Sequence, residues 1–166
     1  HMSADPELGL VYLPVETPTG DLYGADRPGD NLFGNSLVAV DYRTGEMRWY
    51  FQLIHHDIWD WDIPTSPILA DMPDGRKLVV QLSKQGIAYV FDRETGEPVW
   101  DIVERPVPQS DVPGEVTSLT QPFPIKPLPY ARHGMSVDEL IDFTPELKAK
   151  AEAHLANYRY GEIFTP

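Results

Sequence analysis

The chain of 166 residues contains no cysteine, and this absence removes several kinds of chemistry at once. Disulfide bonds, thiolate catalysis and cysteine-bound zinc or iron–sulfur centres are all excluded. Basic residues are also scarce, since 13 Lys and Arg stand against 26 Asp and Glu and leave a net charge of −13. Such a chain would repel a polyphosphate, so we expect no nucleic-acid partner.

Long apolar runs are missing as well. No run approaches the roughly 18 to 20 residues that a membrane crossing requires, and no charged leader followed by an apolar segment opens the chain, so we expect it to be soluble as given. Residues 1–2, His-Met, resemble a cloning remnant and are set aside. The chain stops directly after a strand-like segment at 163–166, which favours an excised fragment of a larger domain.

One pattern of strand, Thr-Gly turn and returning strand occurs twice. In each copy the Asp before the turn can accept hydrogen bonds from turn amides, the Gly supplies a positive φ, and the Trp returns to pack on a neighbouring sheet. The tryptophans, at 49 and 100, lie 51 residues apart. Short antiparallel strands at a period near fifty predict β-propeller blades. The two tryptophan-docking turns are Ala39-x-Asp41-x-x-Thr44-Gly45-x-x-x-Trp49 and Val90-x-Asp92-x-x-Thr95-Gly96-x-x-x-Trp100.

The predicted fold is therefore all-β with a helical tail. Residues 3–130 would form two or three antiparallel blades of an incomplete propeller ring, with an extended proline-rich stretch at 103–129, and residues 131–166 a helical segment leading to the next blade. The clearest helix is predicted over about 145–157, with one apolar face. Strand edges exposed by an incomplete ring predict self-association, unless the tail at 130–166 covers them.

The segment His55-His56-Asp57-Ile58-Trp59-Asp60-Trp61-Asp62 concentrates the ionisable and aromatic groups of the chain. An extended backbone would place Asp60 and Asp62 on one side and the two tryptophans on the other. A carboxylate beside indole rings is partly desolvated and accepts protons more readily near neutral pH, so Asp60 is a candidate general base. The alternative is that the three aspartates cap turns and the tryptophans pack between blades.

A second candidate is Lys84, in the turn between two apolar strands, which would offer a cation at the same rim as Asp60. A merely solvated turn lysine is the alternative. The side chains of His55 and His56 diverge from a regular strand, so no metal site is predicted and both are interpreted as structural. The lack of a Gly-x-Ser-x-Gly elbow disfavours a serine hydrolase.

Four features together resemble the quinoprotein dehydrogenases that use pyrroloquinoline quinone (PQQ), and most of all the membrane-bound quinoprotein glucose dehydrogenases. Their order and spacing span roughly residues 3 to 130, and 161–166 also resembles the continuation of that family. The features are the two tryptophan-docking turns, the segment 55–60, Lys84-Gln85-Gly86 before 87–93, and the motifs at 106–109 and 120–123.

This resemblance implies an eight-bladed propeller with PQQ and a calcium ion on its axis, which oxidises an aldose such as glucose, or an alcohol, and passes electrons to ubiquinone. By position, Asp60 would be the catalytic base and Lys84 would hydrogen-bond the quinone oxygens. The calcium ligands, the aromatic floor under PQQ and the membrane segment would lie outside this chain. The parent protein would be periplasmic and membrane-associated.

The resemblance leaves two questions open. Its members act on glucose, quinate, polyols and simple alcohols, so the substrate is not assigned. The isolated chain would bind PQQ weakly or not at all and would be inactive, because the ring is incomplete. A non-catalytic propeller segment that serves as a protein-binding scaffold is the alternative function.

Overall fold

The computed structural model describes all 166 residues and contains three antiparallel sheets followed by a short helical tail. The sheets have the strand orders β1-β2-β3-β4, β5-β6-β7 and β8-β9. This confirms the predicted β class with a helical tail. The strands are β1 (Ser3–Asp5), β2 (Leu10–Val15), β3 (Ser36–Asp41), β4 (Met47–Gln52), β5 (Ile68–Asp71), β6 (Lys77–Leu82), β7 (Ala88–Asp92), β8 (Ile102–Pro106) and β9 (Thr120–Pro124), and the tail contains a 3-10 helix (Val137–Glu139) and the helix α1 (Pro145–Leu155).

The two predicted Thr-Gly turns have the same internal hydrogen bonds. Asp41 accepts from the amides of residues 43 and 44 at 2.9 and 3.3 Å. Asp92 accepts from the amides of residues 94 and 95 at 3.0 and 2.9 Å. Gly45 and Gly96 share a φ of 77°, in the left-handed region that glycine tolerates best. The repeat found in the sequence is therefore a repeat of local structure.

The second copy differs from the first after its turn. The returning strand of the second copy, at 98–100, is reduced to a single bridge between Phe91 and Pro98, flanked by hydrogen bonds from the Asp92 amide to the Glu97 carbonyl and from the Val99 amide to the Val90 carbonyl. In the first sheet, the apolar run at 8–13 predicts a strand that ends at Pro14, but β2 extends past it, since Pro14 pairs with Leu37 of β3. Proline is tolerated there because β1 pairs with β2 only as far as Tyr12, so the other side of β2 is free at Pro14.

Trp49 packs between the first and second sheets. Its side chain is buried, and its ring lies 5.9 Å from that of Tyr12 and 6.0 Å from that of Phe91. The indole Nε1 donates to the carbonyl of Arg93 in the second turn at 3.3 Å. Trp100, at the equivalent position, is 38% exposed. The third sheet has no Thr-Gly turn to receive it, because β8 and β9 are joined by a longer loop.

Arg93 fastens the same two sheets by ion pairs. Its guanidinium lies 2.7 Å from Asp5 of β1 and 2.7 Å from Asp71 of β5, and the Tyr12 hydroxyl donates to its carbonyl at 2.8 Å. Burial acts to raise the pKa of Asp5, but hydrogen bonds from the amides of residues 8 and 7 and the charge of Arg93 hold that pKa below its ordinary value. Asp5 and Arg93 are both almost fully buried, so removal of Arg93 would leave the Asp5 carboxylate without its only ion-pair partner.

The proline-rich stretch at 103–129, predicted to be extended, contains a strand pair. Prolines did not prevent a hairpin, since Glu104 pairs with Pro122 in the two-stranded sheet of β8 and β9. Each of these strands pairs on one side only, so a proline whose missing N–H would face the unpaired side breaks no ladder hydrogen bond.

Helix α1 begins where it was predicted, but its expected apolar face is mostly exposed. Thr144 accepts from the Leu147 amide at 3.3 Å and caps the helix. Leu155 is buried, whereas Leu147 is 40% and Tyr158 59% exposed. No helix has the length and apolar character that a membrane crossing would need. The hydrogen bonds between 130–166 and the rest of the chain involve loops and turns rather than a strand edge, so the tail does not pair with the open strand edges, although Phe164 packs against β9.

Alanine substitutions at the two turn glycines are expected to differ in cost. A Cβ on Gly96 would lie 2.5 Å from the Trp49 ring, whereas a Cβ on Gly45 would meet nothing within 4 Å. Gly45→Ala therefore carries only the left-handed backbone penalty of about 1 to 2 kcal/mol. Gly96→Ala should lower the free energy of unfolding by about 1 to 3 kcal/mol more, through overpacking. Urea denaturation measures both, and equal losses would show that Trp49 does not rest on Gly96.

Candidate active site

The segment 55–62 lies between β4 and β5 and is a coiled loop rather than the extended strand we expected. His56 and Asp60 have φ values of 46° and 59°, in the left-handed region. The Asp57 carboxylate accepts from the amides of Trp59 and Trp61 at 2.9 and 2.8 Å, which draws the backbone into turns. The predicted extended backbone was wrong because the hydrogen bonds from these amides to the Asp57 side chain favour turns over a strand.

Asp57 is buried beneath this loop and carries no ion pair. It is 1% exposed, and it also accepts from the Thr17 hydroxyl at 2.5 Å and from the Asn35 side-chain amide at 3.0 Å. Both partners flank the long loop between β2 and β3. The turn-capping interpretation therefore holds for Asp57. Sequence reasoning did not single out Thr17 or Asn35, and the only available signal was that a loop of this length is often functional.

Lys84 joins the other two aspartates of the segment. Its Nζ lies 2.8 Å from the Asp60 carboxylate and 2.6 Å from the Asp62 carboxylate. The side chains of Lys84 and Asp60 are 37% and 41% exposed, and that of Asp62 is 18% exposed. No backbone amide donates to Asp60, so turn capping does not explain this carboxylate. The structure thus brings together the two residues that the sequence singled out, Asp60 and Lys84, which we call the reactive pair.

The charges of this cluster are mutually stabilised. Hydrogen bonds donated to Asp60 and then to Asp62 raise the pKa of Lys84 above its ordinary value, against the effect of burial. Burial acts to raise the pKa of Asp62, but the hydrogen bonds from Lys84 and the Thr17 amide lower it overall. Lys84 therefore contributes fully to the stability of the fold below its ordinary pKa of about 10.4, and this contribution is lost as the pH rises through its raised pKa. Asp62 contributes to the stability of the fold above about pH 3.9, and this contribution is lost as the pH falls through its lowered pKa.

The turn that carries Lys84, residues 83–86, is held by the tail. The Tyr130 hydroxyl donates to the Ser83 carbonyl and the Tyr130 amide to the Gly86 carbonyl, both at 2.8 Å. His133 Nε2 lies 2.8 Å from the Gln85 carbonyl. The sequence predicts that 131–166 leads to the next blade, and this stays a prediction. In the structure the tail also holds the backbone of the turn that carries Lys84.

A cavity of about 410 Å³ opens beside Lys84 of the reactive pair, and Asp60 is not among the residues that line it. Lys84 and both indole rings of the loop line it on one side and the tail on the other. Two buried donors of lining residues, Trp61 Nε1 and Gln85 Nε2, have no hydrogen-bond partner. Such donors favour a ligand that is rich in acceptors. The tail residues that line it are Ala131, Arg132, Gly134, Met135, Arg159, Tyr160, Gly161, Glu162, Ile163 and Thr165.

The two histidines of the segment have structural contacts. His55 Nδ1 lies 2.7 Å from the Gln52 side chain and Nε2 lies 3.1 Å from Glu104. His56 is 2% exposed and its Nδ1 lies 2.6 Å from the Gly29 carbonyl. No group of three or more His, Cys, Asp or Glu in the chain is arranged to hold a metal ion.

Trp59 connects the loop to the end of the chain. Its Nε1 donates to the Thr165 carbonyl at 2.9 Å, and its ring packs edge-on against Phe164 at 5.3 Å. Phe164 is 1% exposed and also packs against Phe123 of β9. Residues 163–165 thus form part of the wall beside the reactive pair.

Comparison with known proteins finds a matching family model and related dehydrogenases. The family model "PQQ: Glucose/ethanol/alcohol dehydrogenase, beta-propeller domain" matches residues 1–166. The quinate/shikimate dehydrogenase (quinone) of Acinetobacter baylyi is 32% identical over 169 residues, which cover 99% of this chain and 21% of that relative. The quinoprotein glucose dehydrogenase of Escherichia coli is 41% identical over 123 residues, which cover 72% of this chain and 16% of that relative.

A solved structure supports the same assignment. The quinohemoprotein alcohol dehydrogenase of Comamonas testosteroni superposes with a TM-score of 0.55 at 29% identity, over 75% of this chain and 19% of that chain. The chain thus spans about one fifth of the length of the relatives it matches. With the family model matched over its whole length, this chain belongs to the PQQ-dependent dehydrogenase family, as a segment of its β-propeller domain.

Proposed function

We propose that this chain supplies the acid–base half of the active site of a PQQ-dependent dehydrogenase that oxidises a sugar or an alcohol, with Asp60 as catalytic base. The observation that carries the proposal is the ion pair of Asp60 and Lys84 beside the cavity. An exposed carboxylate that caps no turn, held next to a cation, has no evident structural purpose. This also weighs against the alternative of a non-catalytic scaffold.

The residues at the cavity fit PQQ. An ammonium group has three donors, and Asp60 and Asp62 accept two of those of Lys84, which leaves one for a quinone oxygen. The unpartnered donors of Trp61 and Gln85 suit a ligand with several carboxylates and carbonyls. Lys84 would therefore hold the quinone oxygen, and the indole rings would contact the planar ring system.

The chain's own residues have three tasks in the proposed reaction. PQQ, when bound, would supply the electrophilic quinone that accepts a hydride, that is two electrons with the hydrogen on carbon, from the substrate alcohol. Asp60 accepts the proton of the substrate hydroxyl, for which its exposed carboxylate is available. Lys84 stays protonated through neutral pH and stabilises negative charge on the quinone oxygen that it holds. Trp59 and Trp61 restrict the access of water to the reacting groups.

The finer features of the parent protein belong to the same proposal. We propose an eight-bladed ring, a calcium ion with ligands outside this chain, ubiquinone as electron acceptor, and a periplasmic, membrane-associated location. The relatives named above are glucose, quinate/shikimate and alcohol dehydrogenases, so the substrate is proposed only as a sugar or alcohol bearing a secondary or primary hydroxyl. Glucose is favoured because the sequence motifs most resemble those of the glucose dehydrogenases.

The test is PQQ-dependent turnover of the longer protein that contains this chain. Reconstituted with PQQ and calcium, it should reduce a ubiquinone analogue with at least one of glucose, quinate, glycerol or ethanol, and the 166-residue chain alone should show no turnover and bind PQQ more weakly than micromolar. Omission of PQQ is the control. A longer protein that binds PQQ yet oxidises none of these substrates, or turnover by the chain alone, would contradict the proposal.

A further inference from the structure

Asp62 is attached to Lys84 more firmly than Asp60 is. The Lys84 amide donates to the Asp62 carbonyl at 3.0 Å, and the Lys84 ammonium donates to the Asp62 carboxylate at 2.6 Å. Asp60 makes only the side-chain contact, at 2.8 Å. The Asp62 side chain is also less than half as exposed as that of Asp60. Of the two carboxylates, Asp62 is therefore the one that can keep Lys84 in place.

The Asp62 carboxylate is itself held by hydrogen bonds that lead to the interior of the chain. Its second carboxylate oxygen accepts from the Thr17 amide at 3.0 Å. Thr17 in turn donates through its hydroxyl to the buried Asp57, to which Asn35 also donates. A chain of hydrogen bonds thus runs from the interior to Asp62 and ends at the Lys84 ammonium, whereas the Asp60 carboxylate has no such support.

The proposed reaction makes different demands on the two carboxylates. Asp60 must release Lys84, at least in part, in order to approach a substrate hydroxyl and accept its proton. Lys84 must meanwhile stay protonated and aimed at one point, since a donor stabilises developing charge only when it is already in place. A second, anchored carboxylate meets both demands at once.

We propose that Asp62 is a positioning residue that holds Lys84 in place, so that Asp60 is free to exchange between the Lys84 ammonium and the substrate hydroxyl. This inference rests on the proposed function for the roles of Asp60 and Lys84. It predicts that the two carboxylates have different effects on Lys84. Loss of either one weakens the charge pairing of Lys84, but only loss of Asp62 makes the Lys84 side chain mobile.

Other charged groups near Lys84 do not replace Asp62. Across the cavity lie Arg132, Arg159 and Glu162, of which Arg132 pairs with Glu139 and Arg159 with Asp111. The carboxylates within ion-pair distance of the Lys84 ammonium are Asp60 and Asp62 alone.

The mobility of the Lys84 ammonium in this chain is the direct test, by 15N relaxation of the lysine NH3 groups. A restricted Lys84 is expected in the wild type and in Asp60→Asn, and an Asp62→Asn chain should show Lys84 as mobile as the exposed Lys148 in the same spectrum. The backbone amide spectrum outside the loop and the Lys84 turn reports that the fold is kept. Release of Lys84 by Asp60→Asn, or a restricted Lys84 in Asp62→Asn, would overturn the proposal.

A titration of the wild type needs no folded variant. Because the pKa of Asp62 lies below its ordinary value, Lys84 should stay restricted as the pH is lowered to about 4 and become mobile only below that. Release of Lys84 above pH 5 would contradict an anchoring role for Asp62.

In the longer enzyme, Asp62→Asn should lower kcat about 10- to 100-fold while the KM for substrate changes less than about twofold, because an unanchored Lys84 affects the reacting geometry and not substrate binding. An unchanged kcat would overturn the proposal. The relaxation measurements require no cofactor, so they can fail while the dehydrogenase assignment stands. If Lys84 is restricted as expected but Asp60→Asn leaves the turnover of the longer enzyme unchanged, the proposed function is wrong.

Discussion

Trp49→Ala is expected to lower the free energy of unfolding of this chain by about 3 to 5 kcal/mol, the range seen when large buried aromatic side chains are removed. Trp49 fills the space between the first and second sheets and contacts Tyr12, Phe91 and the Gly96 backbone. Neither sheet can move to fill the cavity without breaking the ion pairs of Arg93. The loss should therefore lie in the upper part of that range.

Trp100→Ala is the matched control, because Trp100 occupies the same position in the second copy of the motif. Its side chain is 38% exposed, so its removal should cost less than about 1 kcal/mol. Urea denaturation followed by circular dichroism compares the two, and Trp49→Phe serves as a milder variant if Trp49→Ala is unfolded without denaturant. Similar losses for Trp49→Ala and Trp100→Ala would show that sheet packing does not depend on the docked tryptophan.

The repeated hairpin was the part of the fold that could be predicted from sequence. The apolar runs before the turns at 42–46 and 83–86 predict strands over 36–41 and 77–82, and the structure has strands with these bounds, Ser36–Asp41 and Lys77–Leu82. Hydrogen bonds between residues less than ten positions apart stabilise such a turn, so the local sequence is enough to predict it. The returning strand of the second copy is shorter than its sequence pattern predicts, since only Pro98 bridges to Phe91.

The candidate site could be predicted only in part. The proximity of Asp60 and Lys84 followed from their places in the motifs, but the conformation of the loop did not. The backbone at 57–62 is set by donors from residues 17 and 35, which are distant in sequence and follow no periodic pattern. The contribution of the tail to the cavity wall was missed for the same reason, because it depends on contacts of residues 130 and 133 with the turn at 83–86.

Asp60→Asn should lower the turnover of the longer enzyme by about 10²- to 10⁴-fold, the usual contribution of a general base. Asparagine has nearly the same shape and can still accept a hydrogen bond from Lys84, but it cannot take up the substrate proton. The fold should be kept, because Asp60 is exposed and caps no turn. Since the change removes a transition-state interaction, the effect should appear in kcat with little change in KM.

Asp74→Asn provides the matched control for this substitution. Asp74 is also an exposed aspartate with a basic partner, Arg76, but it lies in the hairpin turn between β5 and β6. Its removal should leave turnover within about twofold of the wild type. Equal losses in the two variants would point to a general effect of surface charge.

The most direct test of the account is therefore the kcat of the PQQ-loaded longer enzyme with Asp60→Asn, measured beside the wild type and Asp74→Asn, with bound PQQ quantified in each. We predict full PQQ occupancy in all three enzymes and a loss of kcat of about 10²-fold or more in Asp60→Asn alone. A fully loaded Asp60→Asn enzyme that turns over within twofold of the wild type would contradict it.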